Sequence, residues 1–242
     1  MNIKLSVVVP CYNEESRFQK GLFHYLSYLK RQKYLWELIF VNDGSKDKTL
    51  ELMKSAQKNN KNIRVVTYRQ NQGKGYAITR GVKAAKRNIV LFTDIDHSVP
   101  IETIEGFYPY FEKGFQIVIG SRQVKGANIL VHQHPLRELL GKGFTLLVRT
   151  LIDWKIKDAT CGFKAFEKSV AKKLFEKITI YDWAFDAEIL FLCRKYKIKI
   201  AQAPVNWSDI RGTRVSLGKD IVRSLLGLIK IRWNDLKGRY SW

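Results

Sequence analysis

Asp94-Ile95-Asp96 sets two carboxylates one residue apart, one threonine beyond the apolar run 88–92. That run, Asn-Ile-Val-Leu-Phe, has the length and bounded apolar character of a buried strand. In open α/β sheets, ligands bind outside the carboxyl ends of the strands. Carboxylate oxygens suit Mg2+ or Mn2+, and Mg2+ commonly takes one or two carboxylates plus the phosphates of a substrate. The spacing therefore suggests a metal-bridged nucleoside diphosphate, with Asp94 and Asp96 as ligands. Two acids alone read first as a solvated turn at a strand end; what surrounds them decides between the readings.

The surrounding elements supply that context. A strand over 5–10 closes at Pro10, and a helix over 14–31 places Phe18, Leu22, Tyr25, Leu26 and Leu29 on one stripe. A strand over 36–41 runs into the turn Asn42-Asp43-Gly44-Ser45, where Ser45 is suited to cap a helix over 46–59. A strand over 63–68 follows. Gly73-Lys74-Gly75 then opens a helix reaching about residue 86, ahead of the strand 88–92. A helix over 101–113 and a strand over 115–119, ending in Gly120-Ser121-Arg122, continue the alternation. The pattern predicts an α/β fold with a parallel sheet and helices on both faces. Such a sheet gathers Pro10-Cys11-Tyr12-Asn13-Glu14, the 42–47 turn and the acidic pair along one edge. The first two turns can hold a base and ribose, and the third a metal and diphosphate. Asn71-Gln72-Gly73-Lys74-Gly75 adds a lysine but lacks the hydroxyl residue and spacing of an ATPase phosphate loop.

Composition narrows the partners. A chain of 242 residues can bury one sizeable core. Its net charge of +21 implies an anionic partner: nucleic acid, acidic lipid headgroups or phosphorylated substrates. Cys11, Cys161 and Cys193 are few, odd in number and far apart, which fits a reducing compartment and no metal finger. The apolar stretch near the N-terminus is too short for a signal peptide, and no segment reaches the ~18 apolar residues of a spanning helix. The expectation is a protein without a transmembrane helix, peripheral on the cytoplasmic face of a membrane.

Taken in order, Ser6-Val-Val-Val-Pro10-Cys-Tyr-Asn-Glu14, Val41-Asn-Asp-Gly-Ser45-Lys-Asp-Lys-Thr49, Asn71-Gln-Gly-Lys-Gly75 and Asp94-Ile-Asp96 resemble the inverting glycosyltransferases of family 2, which have the GT-A fold. In the second half, Gly120-Ser-Arg122, Asp158-Ala-Thr-Cys-Gly-Phe-Lys164, Trp183-Ala-Phe-Asp-Ala-Glu188 and Val205-Asn-Trp-Ser-Asp-Ile-Arg-Gly212 resemble the dolichyl-phosphate β-glucosyltransferase branch and, less closely, the dolichyl-phosphate mannose synthases. The resemblance spans about residues 3–215. It implies a Rossmann-like GT-A domain over 1–214, including an amphipathic segment at 136–154, followed by C-terminal amphipathic helices over 215–242.

The resemblance also implies roles. Pro10, Tyr12, Glu14, Asp43 and Lys74 would serve the nucleotide sugar together with Asp94 and Asp96, the last two also holding Mg2+ or Mn2+. Arg122, Arg137, Arg211 and Arg214 would meet the phosphate of a polyprenyl or dolichyl acceptor, for which guanidinium forks are well matched. For each arginine singly, a solvated surface charge is the plain alternative. The donor implied is UDP-glucose. Two departures from the family pattern are Asn42, where an aspartate is frequent, and His97-Ser98 after the acidic pair. A phosphate monoester is largely dianionic at neutral pH, with a second pKa near ~6, so attack on an anomeric carbon needs no strong base. The catalytic candidates are Asp96, Asp186 and Asp158; for Asp186, a hydrogen bond to a sugar hydroxyl or a loop competes with the role of base.

Residues 136–154 and 215–237 mix leucine, phenylalanine and tryptophan with lysine and arginine, the style of helices lying in an anionic membrane surface. Packing on the core, or a homo-oligomer interface for the C-terminal helix, are the alternatives. Competing functions are a GDP-mannose-dependent mannosyltransferase, a transferase acting on a glycan hydroxyl, an inactive scaffold and a basic nucleic-acid-binding module. The last explains the charge but not the acidic pair, and no nucleic-acid module is present, so no nucleic-acid partner is expected.

Overall fold

The computed structural model describes residues 2–210 and 219–241. Its first half is built by the alternation read above: strand β1 (Leu5–Cys11), helix α1 (Glu15–Leu29), β2 (Trp36–Asp43), α2 (Thr49–Asn59), β3 (Ile63–Tyr68), α3 (Lys74–Ala84) and β4 (Ile89–Phe92). A 3-10 helix (Ile101–Phe107) then runs into the short α4 (Tyr108–Glu112) before β5 (Ile117–Ser121). The uninterrupted helix expected over 101–113 changes type there because Pro109 has no backbone N–H to donate. Next come β6 (Asn128–Val131), α5 (Pro135–Leu151), β7 (Lys164–Glu167), α6 (Lys168–Lys177), α7 (Phe185–Lys195), β8 (Ile200–Pro204), β9 (Asn206–Ser208) and α8 (Lys219–Leu236).

Seven strands form one sheet in the order β3-β2-β1-β4-β7-β5-β8. All neighbours are parallel except β7, which runs antiparallel to both β4 and β5. A second, two-stranded parallel ribbon joins β6 to β9. Strand residues alternate between two apolar layers, as a sheet covered on both faces requires. Leu5, Val7, Val9, Leu38, Phe40, Ile89 and Leu91 pack with α1, α2, the 3-10 helix and α4. Val8, Ile39, Val41, Val90 and Phe92 pack with α3, α6 and α7. The inner faces of α5 and α8, through Val148, Leu228 and Ile231, belong to this second layer.

One strand direction matters for the site. Because β7 is antiparallel, its first residue, Lys164, pairs with Phe92, the last residue of β4. The loop 158–163 that leads into β7 is thereby delivered to the carboxyl edge of the parallel strands. The helix after β2 begins at Thr49, not at residue 46. Ser45 does not cap it: its hydroxyl accepts the Asn13 N–H (2.9 Å), while Asp47 Oδ1 accepts the Thr49 N–H (3.0 Å). The serine is recruited to lace two edge turns together.

Candidate functional site

The edge turns are tied to one another before they are tied to anything else. Asn13 Oδ1 accepts the Lys46 N–H (2.7 Å), and the Glu14 N–H donates to Thr49 Oγ1 (2.7 Å). Glu14 takes both Nε (2.7 Å) and Nη2 (2.9 Å) of Arg17 on its two oxygens. Pro10 and Tyr12 stand half-buried at the end of β1 beside this lacework. Asp43, the last residue of β2, is buried and holds the glycine loop: its oxygens accept the Gln72 N–H (2.7 Å), the Gly73 N–H (3.1 Å) and Asn71 Nδ2 (2.9 Å). Burial raises its carboxyl above the usual range, against the pull of those backbone donors. Asp43, expected at the base, thus fixes the approach to Lys74.

Lys74, the first residue of α3, sets its ammonium 2.6 Å from Asp94 Oδ1. Burial pulls its pKa down, but the facing carboxylates of Asp94, Asp186 and Asp96 outweigh burial and raise it. Its ammonium also lies 5.5 Å from the centre of the Trp183 ring. Asp96 accepts the Ser98 N–H on Oδ1 (3.0 Å), and its carboxyl is raised by burial and by the neighbouring charge of Asp94. The loop delivered by β7 closes on this pair. Gly162 lies so close to Asp94 that a Cβ there would overlap Oδ2, and would stand 3.5 Å from the Lys74 ammonium.

Behind the loop sits a buried ion pair that the sequence reading missed. The fully buried Lys164 donates to Asp186 Oδ1 (2.6 Å) and to the Cys161 carbonyl (2.6 Å). Burial raises the Asp186 carboxyl, while Lys164 and Lys74 oppose it. Lys164 therefore joins Asp186 on α7 to the loop that covers Asp94. A lysine opening a strand is detectable by type alone; its antiparallel placement is not.

A second pair lies at the end of β5. Arg122 donates from Nε (2.7 Å) and Nη2 (2.8 Å) to the two oxygens of Asp158, and its backbone N–H adds a third bond (2.9 Å). Arg122 Nη2 also reaches Thr160 Oγ1 (2.9 Å), and the guanidinium lies 5.3 Å from the Trp207 ring centre. Burial would raise Asp158, but Arg122 more than offsets it and holds the carboxyl below its usual range. With both oxygens occupied and its proton affinity lowered, Asp158 is poorly suited to the role of base that its position suggested. It anchors Arg122. Arg137 stands half-exposed in the first turn of α5, its backbone N–H on the His134 carbonyl (2.9 Å). Arg211 and Arg214 lie outside the described residues.

The geometry at this edge thus brings Lys74, Asp94, Asp96, Lys164 and Asp186 together, next to the Arg122–Asp158 pair. Comparison with known proteins decides what this edge belongs to. Residues 6–175 match the family model described as glycosyl transferase family 2. This chain belongs to that family. It is 36% identical to a dolichyl-phosphate beta-glucosyltransferase of Dictyostelium discoideum, over 96% of this chain and 78% of the relative. It is 35% identical to the human protein of the same name, over 95% of this chain and 77% of the relative. Among solved structures it resembles glucosyl-3-phosphoglycerate synthase from Mycobacterium tuberculosis, crystallised with Mn2+, uridine diphosphate and glucosyl-3-phosphoglycerate, with a TM-score of 0.66 and 20% identity over 95% of this chain and 80% of that one. That likeness is one of fold. The family 2 assignment read from the motifs, the α/β GT-A fold and the glycosyltransferase class are all met by these findings.

Proposed function

We propose that this glycosyltransferase moves glucose from UDP-glucose to the phosphate of a polyprenol or dolichol, with inversion at the anomeric carbon. The observation that carries the reading is the Asp94–Asp96 turn, set at the carboxyl edge against Lys74, in a chain whose relatives from two distant organisms bear the name of this reaction across 95% or more of its length. The mycobacterial neighbour, crystallised with Mn2+ and uridine diphosphate, supports the donor class.

The residues fit a divalent cation. Burial raises the Asp96 carboxyl and the charge of Asp94 adds to it, a repulsion between neighbouring carboxylates that such an ion relieves. Among the described residues no group of three or more His, Cys, Asp or Glu could hold a metal alone. Asp94 and Asp96 would therefore supply two oxygens, and the diphosphate and water the rest, as Mg2+ and Mn2+ accept. When bound, the ion supplies positive charge to the diphosphate oxygens as the bond to the sugar breaks. Lys74 adds a second positive charge at the same place, releasing Asp94 to do so. Asp186, kept in position by Lys164, faces Lys74 and is suited to accept a hydrogen bond from a sugar hydroxyl. Arg122, oriented by Asp158, offers its charge to the acceptor phosphate, joined by Arg137, Arg211 and Arg214. A phosphate oxygen attacks the anomeric carbon as the diphosphate oxygen leaves with the bonding pair. The acceptor is already ionised, so no proton need be removed, and orientation with charge stabilisation carries the catalysis.

The acceptor's tail requires a membrane, and the outer faces of two helices suit one. Leu139, Leu146 and Leu151 on α5 and Leu226, Ile229 and Trp233 on α8 are exposed. Arg149, Arg223, Lys230 and Arg232 stand among them. The two helices touch, and their exposed apolar and basic side chains suit an anionic bilayer. Among the described residues no helix is long and apolar enough to cross a membrane.

Incubation with labelled UDP-glucose and polyprenyl phosphate tests the function. Label should enter the organic phase and be released as glucose by mild acid. Label remaining wholly in the aqueous phase, with active controls, would overturn the assignment.

A further inference from the structure

The acidic turn does not stand by itself at the end of β4. Three residues of α1, spaced as one helix face, meet it at residues 94, 95 and 97. The Tyr25 hydroxyl, on a side chain 1% exposed, donates to the backbone carbonyl of Asp94 at 2.5 Å. Gly21 brings the helix backbone against Ile95: a Cβ there would overlap the Ile95 carbonyl oxygen and approach its Cδ1 to 2.7 Å. The His24 ring stacks on His97, with centroids 4.3 Å apart and planes 7° from parallel. His97 itself has a left-handed backbone (φ 62°), which bends the chain so that the Ser98 N–H returns to Asp96. The Asp94 carbonyl accepts a second donor, the His97 N–H, at 3.4 Å.

We propose that this face of α1, with Tyr25 at its centre, is a positioning device for the metal-binding turn. Gly21, His24 and Tyr25 touch neither donor nor acceptor; they set the direction from which the Asp94 and Asp96 carboxylates present themselves. The inference rests on the reading that this turn holds the divalent cation. Fixing one peptide by a buried hydroxyl, its neighbour by close backbone approach and the turn's far end by a ring stack leaves the two carboxylates few orientations. A preorganised pair of ligands binds an ion without first paying to order itself.

A purely structural role for Tyr25 predicts a different result from a positioning role, and Tyr28 on the same helix separates them. Tyr28 is equally buried, but its hydroxyl meets that of Tyr34 at 3.1 Å, away from the turn. Binding of Mn2+ to the full chain in the presence of UDP, read by electron paramagnetic resonance, is the measurement, with thermal melts alongside. Tyr25→Phe should weaken Mn2+ binding about three- to tenfold, the scale of one lost hydrogen bond, while Tyr28→Phe should leave it unchanged. Should Tyr25→Phe fail to fold, His24→Ala, at a half-exposed position, replaces it and should weaken Mn2+ binding in the same direction. Wild-type affinity in Tyr25→Phe or its replacement, or equal weakening in the Tyr28 variant, would overturn the proposal. Absence of Mn2+ binding in the wild type would instead remove the metal reading on which it stands.

Discussion

At the scale of single residues, the site is a set of charges that hold one another in place. Asp158 is fully buried and gives all its capacity to Arg122 and the loop, so its value to the fold depends on staying ionised. Its folded pKa lies below the unfolded reference of ~3.9, so the stabilisation is complete above that reference and is lost as pH falls through the folded value. Thermal melts between pH 7 and pH 3 should therefore show the wild type losing stability at the acid end. Asp158→Asn should start less stable by about 3–5 kcal/mol, as expected when one partner of a buried pair is removed, and should lose less on acidification. Parallel pH dependence in the two proteins would count against this role. Asp94, Asp96 and Lys74 were legible as residue types at a strand end; the Lys164–Asp186 pair was not. Its partners are 22 positions apart and meet only because one strand reverses direction.

At the scale of elements, the order and type of the strands and helices in the first half were legible, with helix ends displaced by up to three residues. The strand expected over 63–68 is Ile63–Tyr68, because β-α alternation and turn residues act locally. In the second half the amphipathic helices expected over 136–154 and 215–237 are found as Pro135–Leu151 and Lys219–Leu236, but the strands were not legible. Strands β6, β7, β8 and β9 are three to five residues long, too short for a period to declare itself, and their partners are set by long-range pairing. Helix α8 was expected as an appended amphipathic element, yet its inner face enters the core and its end feeds a buried hub. There Glu188 of α7 accepts the N–H groups of Thr179 (2.9 Å) and Ile180 (2.9 Å), the Thr179 hydroxyl (2.7 Å) and the Tyr240 hydroxyl. Asn234 Nδ2 donates to Thr179 Oγ1 (2.8 Å). The carbonyl of Tyr181, the residue after Ile180, accepts the Gly75 N–H (2.9 Å) beside Lys74. Removing the outermost donor should loosen this connection. Tyr240→Phe is expected to cost about 1 kcal/mol and to speed hydrogen exchange at the Thr179 and Ile180 amides, read by NMR. Unchanged exchange at both amides would mean that the C-terminal segment does not support the loop.

At the scale of the molecule, the proposed function gives the +21 charge and the exposed apolar faces of α5 and α8 one purpose. An enzyme acting on a lipid phosphate gains from a surface that anionic headgroups attract and apolar side chains enter. Replacing Arg223 and Lys230 by glutamate should reduce cosedimentation with anionic vesicles. High salt should do the same to the wild type in part, since the screening length falls to ~3 Å at 1 M. Apolar burial by Leu226, Ile229 and Trp233 should preserve the remainder. Vesicle binding unaffected by either treatment would place the membrane surface elsewhere. Transfer of glucose onto a lipid phosphate can be set against its rivals by competition in one vessel. UDP-glucose and GDP-mannose carrying different labels are supplied with polyprenyl phosphate and a soluble glycan, and the label in the organic and aqueous products is counted. Glucose label is expected in the organic phase, and none with Asp96→Ala; mannose label there, or glucose transferred only to the soluble glycan, would overturn the proposed function.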